Sequence, residues 1–591
     1  MGETYAQSRE APRPTPPVAK GKPNILWILL DDAGFGASSA FGGLINTPTF
    51  DRLANNGLRF TNFHDPGVCA PTRAALLTGR NPHKTGMGIF PHRGLSFGFP
   101  GYSGFMQPKD GTVAEYLRDA GYSTYALGKW HLTPDEEGTD LGPFDRWPSG
   151  KGFQHFFGFL GGATNQYDPE LVEDNMHVKP DGRHLNAQLI DKSIAYIDRQ
   201  ENLNPDKPFF LYLATGATHA PHQVDQEWID KYRGKFDEGW DVFRQEVLEH
   251  QKKMGIVPAD AKLPAREPRV PAWNSLSADQ KKIYNRFMEA YAGYLEYTDH
   301  EIGRLIGYIE AKGLADNTAI FVMIGDNGAS REGGPNGTLD GDLKLPDRDN
   351  AGQLDELDSS FDKIGTREAL SNYPIGWAQA MDTPFREWKS DVQAEGATRN
   401  PLIVYWPRHV GQGFREQYGF VTDMLPTALE IAGVKAPSVE RGIPQDPLQG
   451  ASLTYAFADA KAPTHHPEQY YFLFGAGAIV KDGWKASFQY RPDGLDTTWA
   501  FPRLQTIPNY AGKEVWQLYD MNVDYTELND LASQHPDKLA ELQALFRKDA
   551  KENDVYPLIN WSDVWNTPQW QALLKKGAPY HPSVKDRAPI N

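Results

Sequence analysis

Short runs of consecutive apolar residues, each ending abruptly in polar residues, recur along the 591-residue chain. Five such runs occupy residues 24–30, 124–127, 208–213, 319–324 and 402–406. Continuous apolar runs are typical of strands that are buried on both faces. Helical patterns separate these runs at residues 112–119, 191–199, 287–312 and 423–432. The alternation predicts an α/β fold in which helices sandwich a large, mostly parallel sheet.

Polar residues suited to catalysis or metal binding follow four of the five runs. They are Asp31 and Asp32, then Lys129 and His131, then His219, and finally Asp326 and Asn327. In parallel α/β sheets, ligands bind beyond the carboxyl ends of the strands. We therefore expect these side chains to lie together at one edge of the sheet.

The main domain is expected to span residues 23–464. Residues 1–22 are polar and proline-rich and predict an N-terminal arm. Two stretches interrupt the strand–helix pattern, at about 225–280 and about 330–375. We interpret both as insertions over the site edge, the second as a candidate lid; the alternative is a disordered surface loop.

The pattern changes again from about residue 465. Short alternating strands at 469–474 and 484–490 are followed by a helix at 536–550. Residues 465–591 are therefore expected to form a small C-terminal α+β domain with an antiparallel sheet, followed by a tail.

The composition excludes several classes of partner. A formal net charge of −17 argues against nucleic acid and other polyanions, although a small anionic ester could still enter a locally positive pocket. No apolar run approaches the roughly 18 residues of a membrane span, so no membrane partner is expected. Residues 1–22 lack the apolar core of a secretory signal, which predicts a cytoplasmic protein, or a periplasmic one if a preceding signal was removed. A homo-oligomer is compatible with the sequence.

The chain contains a single cysteine, Cys69, so an internal disulfide is excluded. Pro71 suits the first turn of a helix, which predicts that Cys69 lies at a helix N-terminus, where anions are favoured. Arg73 lies one turn away. The alternative is a small buried core residue, the usual position of a free cysteine.

A metal site is predicted at the ends of two strands. The four side chains that would supply oxygen ligands are Asp31, Asp32, Asp326 and Asn327. An all-oxygen ligand set suits calcium or magnesium and disfavours zinc. The alternative is that these residues cap the helices that follow. A thiol at position 69 is a poor ligand for a hard cation, whereas an aldehyde hydrate there would supply an oxygen.

Several segments together resemble the type I sulfatases of the alkaline phosphatase superfamily, and bacterial arylsulfatases most of all. They are CAPTRAALLTGR from Cys69, GYSTYALGKWH ending at His131, Asp31-Asp32, and the segments 218–221, 326–328 and 383–389. The resemblance extends from about residue 23 to the segment 515–520. One difference is Thr72, where serine is commoner in the family.

The resemblance implies that Cys69 is oxidised after translation to Cα-formylglycine by a formylglycine-generating enzyme. It also implies one calcium ion, held by the four oxygen ligands above together with residue 69. One hydroxyl of the hydrated aldehyde would attack the sulfur of a small sulfate ester. Loss of the proton of the other hydroxyl would then release sulfate.

The resemblance assigns roles to the remaining site residues. Asp326 would assist the attacking hydroxyl, His131 would act on the second hydroxyl, Arg73 would position the diol, Lys129 would contact formylglycine and sulfate, and His219 and Lys389 would face the leaving oxygen. Fixed cations and a metal stabilise the negative charge that develops in sulfuryl transfer.

The sequence leaves the substrate class open and allows two other functions. An aromatic-rich stretch could stack on an aryl leaving group or could simply pack in the core; its members are Trp147, Phe153, Phe156, Phe157, Phe159 and Tyr167. One competing function is a phosphonate monoester or phosphodiester hydrolase of the same superfamily. Another is a non-catalytic calcium-binding relative, which would be expected to lack Cys69, Arg73 or Lys129.

Overall fold

The computed structural model describes residues 2–9, 19–92, 96–341, 353–489 and 514–560, together with Asp563 and Pro568. Its strands, in chain order, are β1 Asn24–Leu29, β2 Leu58–Phe60, β3 Phe63–His64, β4 Ser123–Lys129, β5 His155–Phe159, β6 Leu171–Glu173, β7 Met176–Val178, β8 Phe209–Ala214, β9 Thr318–Met323, β10 Leu402–Tyr405, β11 Gly413–Arg415, β12 Gly419–Phe420, β13 Val439–Glu440, β14 Ile443–Pro444, β15 Glu468–Leu473, β16 Ala476–Lys481, β17 Trp484–Gln489 and β18 Val515–Asp520. Its α-helices are α1 Pro48–Asn55, α2 Cys69–Thr78, α3 Val113–Asp119, α4 Leu185–Leu203, α5 Gln226–Asp230, α6 Gly239–Met254, α7 Ala278–Ala311, α8 Gln353–Ser359, α9 Ile375–Met381, α10 Glu395–Thr398, α11 Met424–Ala432, α12 Thr454–Ala458 and α13 Pro536–Glu552.

Ten strands form one large sheet in the order β11-β2-β10-β9-β1-β8-β4-β5-β6-β7. The central run from β9 to β5 is parallel throughout. Side chains of β1 alternate between two buried apolar clusters, with Trp27 on one face and Leu26 and Ile28 on the other. Because helices cover both faces, this strand is apolar without alternation. The predicted α/β sandwich with a mostly parallel sheet is confirmed.

The apolar run 402–406 differs from the other four in direction. It forms β10, which pairs antiparallel with both β9 and β2. Its carboxyl end therefore points to the opposite edge of the sheet. This direction explains why it was the one run not followed by candidate site residues.

The predicted helices are present, and two of them are longer than their apolar patterns indicated. Helix α4 extends beyond the predicted 191–199 at both ends, and α7 begins at Ala278 rather than at residue 287. Ser277 accepts a hydrogen bond from the backbone N–H of Gln280 and the Gln280 side chain reaches back to the Ser277 backbone. This capping box fixes the start of α7 before its apolar pattern begins.

A second sheet lies in the C-terminal part of the chain. Strands β15 to β18 pair antiparallel in sequence order, and α13 packs on them through Phe546, which contacts Phe488 and Trp516. The predicted C-terminal antiparallel sheet and helix are confirmed. Tyr490, the predicted end of one strand, lies outside the described residues.

Described parts of the two interrupting stretches are folded. Residues 225–280 contain α5 and α6, and Trp240 of α6 packs against Trp273 and Trp377 in the core. The stretch 330–375 contains α8, while residues 342–352 of the candidate lid lie outside the described part. Within the described ranges, no helix is both long and apolar enough to span a bilayer. The domain boundaries stay a prediction.

Candidate active site

Four adjacent parallel strands bring the predicted site residues to one edge of the sheet. The strands lie side by side in the order β9, β1, β8 and β4. The residues at their carboxyl ends are, in the same order, Asp326 and Asn327, then Asp31 and Asp32, then His219, and finally Lys129 and His131. The strands are neighbours through regular parallel pairing. All seven of these residues are buried. The clustering expected from strand order is therefore present.

Cys69 is the first residue of α2, as the sequence predicted. Val68 is the extended N-cap residue, and the whole helix is buried. The Cys69 Sγ lies 3.2 Å from Nδ1 of His131. Burial raises the pKa of the Cys69 thiol to about 12, although Lys129 and Lys389 oppose this shift. Without a bound cation, burial therefore favours the neutral thiol, which is a poor nucleophile.

The acidic centre of the site fits a hard cation. Oxygen atoms of Asp31, Asp32 and Asp326 all lie within 4.8 Å of one another. Oδ1 of Asp31, Oδ1 of Asp326 and Oδ1 of Asn327 are buried without a hydrogen-bond partner among the described residues. Three such oxygens in one place are costly unless a cation compensates them. The predicted ligands therefore fit calcium or magnesium, since all of them offer oxygen.

Two basic side chains flank this centre. Lys129 Nζ donates to Asp31 Oδ2 at 2.6 Å, and Arg73 Nε donates to Asp326 Oδ2 at 2.9 Å. Arg73 also donates to the backbone carbonyl of Lys129 at 2.8 Å, which links α2 to the end of β4. Burial alone would raise the pKa of Asp31, but Lys129, His219 and Arg73 outweigh it and hold that pKa below its usual range.

The two residues expected to face a leaving group, Lys389 and His219, lie beside Asp32. Lys389 Nζ donates to Asp32 Oδ2 and to Glu332 Oε2, each at 3.0 Å. His219 Nε2 lies 3.7 Å from Asp32 Oδ2 and 3.9 Å from Glu332 Oε2. Burial disfavours the Lys389 ammonium, yet Asp32 and Glu332 raise its pKa well above the ordinary value. The ammonium of Lys389 thus offsets the negative charge of Asp32 and Glu332.

The backbone at two site residues is strained. Asp32 has φ 56° and His131 has φ 60°, in the left-handed region that non-glycine residues seldom adopt. Such conformations persist where the surrounding structure enforces them and they concentrate at functional sites. At Asp32 the turn aims the side chain toward Asn327, whose Nδ2 donates to Asp32 Oδ1 at 2.6 Å.

Three residues of this region were missed from the sequence. Glu332 follows the 326–328 segment and contacts Lys389, whereas His92 and Asp135 lie behind His131. The only sequence signal for Glu332 was its closeness to Asp326. His92 lies in an irregular segment and Asp135 begins a short 3₁₀ helix, and neither belongs to a sequence motif that could have selected it.

The aromatic-rich stretch after His131 belongs to the core. Its six members are all buried: Trp147, Phe153, Phe156, Phe157, Phe159 and Tyr167. Phe153, for example, stacks on Phe210 and Tyr212 of β8. Core packing is therefore the interpretation that the structure supports, and this stretch supplies no exposed surface for an aryl group.

Comparisons with known proteins agree with the fold. The Sulfatase family model matches residues 23–434. An uncharacterized sulfatase of Schizosaccharomyces pombe is 33% identical over 548 residues, covering 88% of this chain and 92% of that protein. The arylsulfatase of Klebsiella aerogenes is 28% identical over 459 residues, covering 76% of this chain and 94% of that protein. The crystal structure of Ps i-CgsB shares the fold, with a TM-score of 0.61 at 22% identity over 94% of this chain and 100% of that chain.

The chain therefore belongs to the sulfatase family, whose members hydrolyse sulfate esters. The predicted family resemblance is confirmed.

Proposed function

We propose that this protein hydrolyses small sulfate monoesters, with aryl sulfates as the substrate class, through formylglycine at position 69 and one calcium ion. The observation that carries the proposal is that Cys69, Arg73, Lys129 and His131 meet beside three buried oxygens that have no hydrogen-bond partner within the described part of the chain. Similarity to the arylsulfatase of Klebsiella aerogenes supports the aryl class.

The pKa of the thiol supports modification of Cys69. A cysteine nucleophile needs a lowered pKa, yet burial raises that of Cys69 to about 12. Its surroundings therefore disfavour direct thiolate attack. A formylglycine-generating enzyme would oxidise Cys69 to an aldehyde. Hydration of this aldehyde would supply two hydroxyl groups, one for attack on sulfur and one whose deprotonation releases sulfate.

Each side chain around position 69 has a separate role in the proposed reaction. Asp31, Asp32, Asp326 and Asn327 would hold the cation, which would supply positive charge for the sulfate oxygens. Arg73 and Lys129 fix the geometry beside residue 69 and add charge that favours a dianion-like transition state. Asp326 assists the attacking hydroxyl, and His131 takes the proton of the second hydroxyl through Nδ1. His219 and Lys389, which both lie beside Asp32, would face the leaving oxygen.

A kinetic comparison tests this proposal. The formylglycine content of the purified protein is first measured by peptide mass. The protein is then assayed on nitrophenyl sulfate and on a nitrophenyl phosphonate ester, which has the same leaving group. We expect the sulfate to be the better substrate by kcat/KM. Higher kcat/KM for the phosphonate would replace the sulfatase assignment by phosphonate hydrolysis. Absence of turnover of either ester by fully modified, calcium-loaded protein would indicate a non-catalytic relative.

His219→Ala is expected to slow poor leaving groups far more than good ones. An alkoxide or phenoxide of high pKa departs slowly unless it receives a proton, and general acid catalysis is worth about 10²–10⁴-fold. A series of aryl sulfates of different leaving-group pKa measures the effect. If His219 only holds the loop in place, His219→Ala should lower the rate for every substrate by the same factor. An unchanged dependence of rate on leaving-group pKa would therefore contradict the general-acid role.

Glu332→Gln is expected to strengthen the binding of inorganic sulfate as a competitive inhibitor. The Glu332 side chain is 19% exposed and its carboxylate lies 3.0 Å from Lys389, so it opposes an incoming anion and partly neutralises this lysine. Even at the dielectric constant of bulk water, a negative charge about 4 Å from the bound anion costs about 1 kcal/mol, so removing it should lower the inhibition constant at least roughly five-fold. Glu356→Gln, in α8, changes the net charge equally and serves as the control. An equal shift in both variants would assign the effect to net charge alone.

A further inference from the structure

A continuous line of polar contacts begins at residue 69 and runs through His131 and His92 to Asp135. Nδ1 of His131 lies 3.2 Å from Cys69 Sγ, and Nε2 of His131 lies 2.9 Å from Nε2 of His92. Nδ1 of His92 in turn lies 3.3 Å from Oδ1 of Asp135. All four residues are buried. Phe90 stacks on both histidine rings, with centroid distances of 5.8 Å, and so keeps them aligned.

The order of donors along this line follows from the acceptor at its end. A carboxylate only accepts hydrogen bonds, so Nδ1 of His92 must carry the hydrogen that faces Asp135. In a neutral His92 ring, Nε2 is then the acceptor. With His92 neutral, the hydrogen between the two rings belongs to Nε2 of His131. A neutral His131 ring with its hydrogen on Nε2 has its lone pair on Nδ1, which faces residue 69.

We propose that His92 and Asp135 are positioning residues that hold His131 in the tautomer with a basic Nδ1 facing residue 69. The inference rests on the proposed function. In the proposed reaction, the second hydroxyl on residue 69 transfers its proton to Nδ1 of His131. The electron pair of that O–H bond forms the carbonyl of formylglycine, while the bond to the sulfate oxygen breaks and sulfate leaves. The positive charge that His131 gains is stabilised through His92 by Asp135.

The wrong tautomer would block one step of the cycle and leave the other intact. With hydrogen on Nδ1, His131 could not accept the proton of the second hydroxyl, whereas attack on sulfur and departure of the phenol would continue. Variants that free the tautomer should therefore accumulate sulfated residue 69. A merely structural defect would slow both steps and accumulate nothing.

His92→Phe is the decisive variant, because it keeps an aromatic ring beside Phe90 and removes both nitrogens. We expect a burst of nitrophenol equal to the formylglycine content, followed by turnover reduced about 10²–10³-fold. Peptide mass should show a sulfate adduct on residue 69, and steady-state kcat should lose its dependence on leaving-group pKa. His92→Gln should restore much of the turnover, since its amide oxygen can accept the Nε2 hydrogen of His131.

His83→Phe is the matched control, because His83 is a buried neutral histidine that contacts Tyr102 and Tyr470 instead. Burial lowers the pKa of His83 to about 3. This variant should show no burst and no adduct. Loss of activity in His92→Phe without burst or adduct, while the wild type turns over, would overturn the inference. If the wild type itself releases no phenol, the proposed function fails. The tautomer of His131 must then be determined by a measurement that does not depend on activity.

Neutron diffraction on deuterium-exchanged crystals of the wild-type protein reads the tautomer directly. We expect deuterium on Nε2 of His131 and on Nδ1 of His92. Deuterium on Nδ1 of His131 in the resting protein would contradict the inference whatever the activity.

Discussion

Cys69→Ser is expected to lose catalytic turnover of aryl sulfates by at least about 10⁴-fold, the size of effect that removal of a nucleophile has in covalent hydrolases. A serine hydroxyl could still attack sulfur, but the product would be an ordinary sulfate ester. That ester has no second hydroxyl through which it could collapse, so each molecule would react at most once. Stopped-flow release of nitrophenol, followed by peptide mass of the segment containing residue 69, measures both stages.

Thr72→Ser is the matched control for this experiment. Thr72 lies in the same buried helix, and serine is the commoner family residue there. This variant should keep its formylglycine content and its turnover. Mass spectrometry that finds an unmodified thiol in fully active wild-type protein would refute the role of formylglycine.

The arrangement of the central sheet could be predicted from the chain because its strands are buried on both faces. Runs such as 24–30 and 319–324 are apolar at every position, and side chains on successive residues enter opposite apolar clusters. The direction of each strand was harder to predict from the sequence. Burial on two faces makes antiparallel β10 look the same as its parallel neighbours, and only the pairing with β9 reveals its direction.

The candidate site could be predicted in part, for reasons of chain geometry. Residues at the ends of neighbouring parallel strands, or a few positions beyond them, lie at one edge of the sheet, so Asp31, Lys129, His219 and Asp326 needed only the strand assignment. Lys389 follows no strand of the sheet and was found through its family segment alone. Glu332 and His92 lie in loops whose course depends on tertiary packing, and no local pattern marks them.

The local charge explains how a protein with a net charge of −17 can receive an anionic ester. Arg73, Lys129 and Lys389 are all buried within the site, where solvent screens them least. Each is paired with a carboxylate, however, so the side chains alone leave little positive charge for sulfate. A divalent cation among Asp31, Asp32 and Asp326 would restore the positive balance that anion binding requires.

Asp326→Asn is therefore expected to remove both the bound cation and the activity. The substitution keeps the size of the side chain, but it removes a negative charge and offers an amide where an anionic oxygen faces the cation. Burial, together with Asp31, raises the pKa of Asp326 to about 7 without a cation, so a bound cation would stabilise the charged form of this carboxylate. We expect calcium content to fall from about one equivalent to near zero and kcat/KM to fall by at least about 10³-fold.

Asp382→Asn provides the matched comparison for this metal test. Asp382 is a buried carboxyl beside the same loop, where its Oδ1 accepts the backbone N–H of Ala329 at 2.9 Å, but it is outside the predicted ligand set. Burial raises the pKa of Asp382 well above the ordinary value, so a neutral amide is a close substitute for its protonated form. Metal analysis and thermal unfolding of both variants, with and without chelator, separate the two roles. Only Asp326→Asn should lose the cation and the chelator-sensitive part of its stability. Stoichiometric zinc in the wild type, or full activity after thorough chelation, would show that the oxygen-lined centre is not the catalytic metal site.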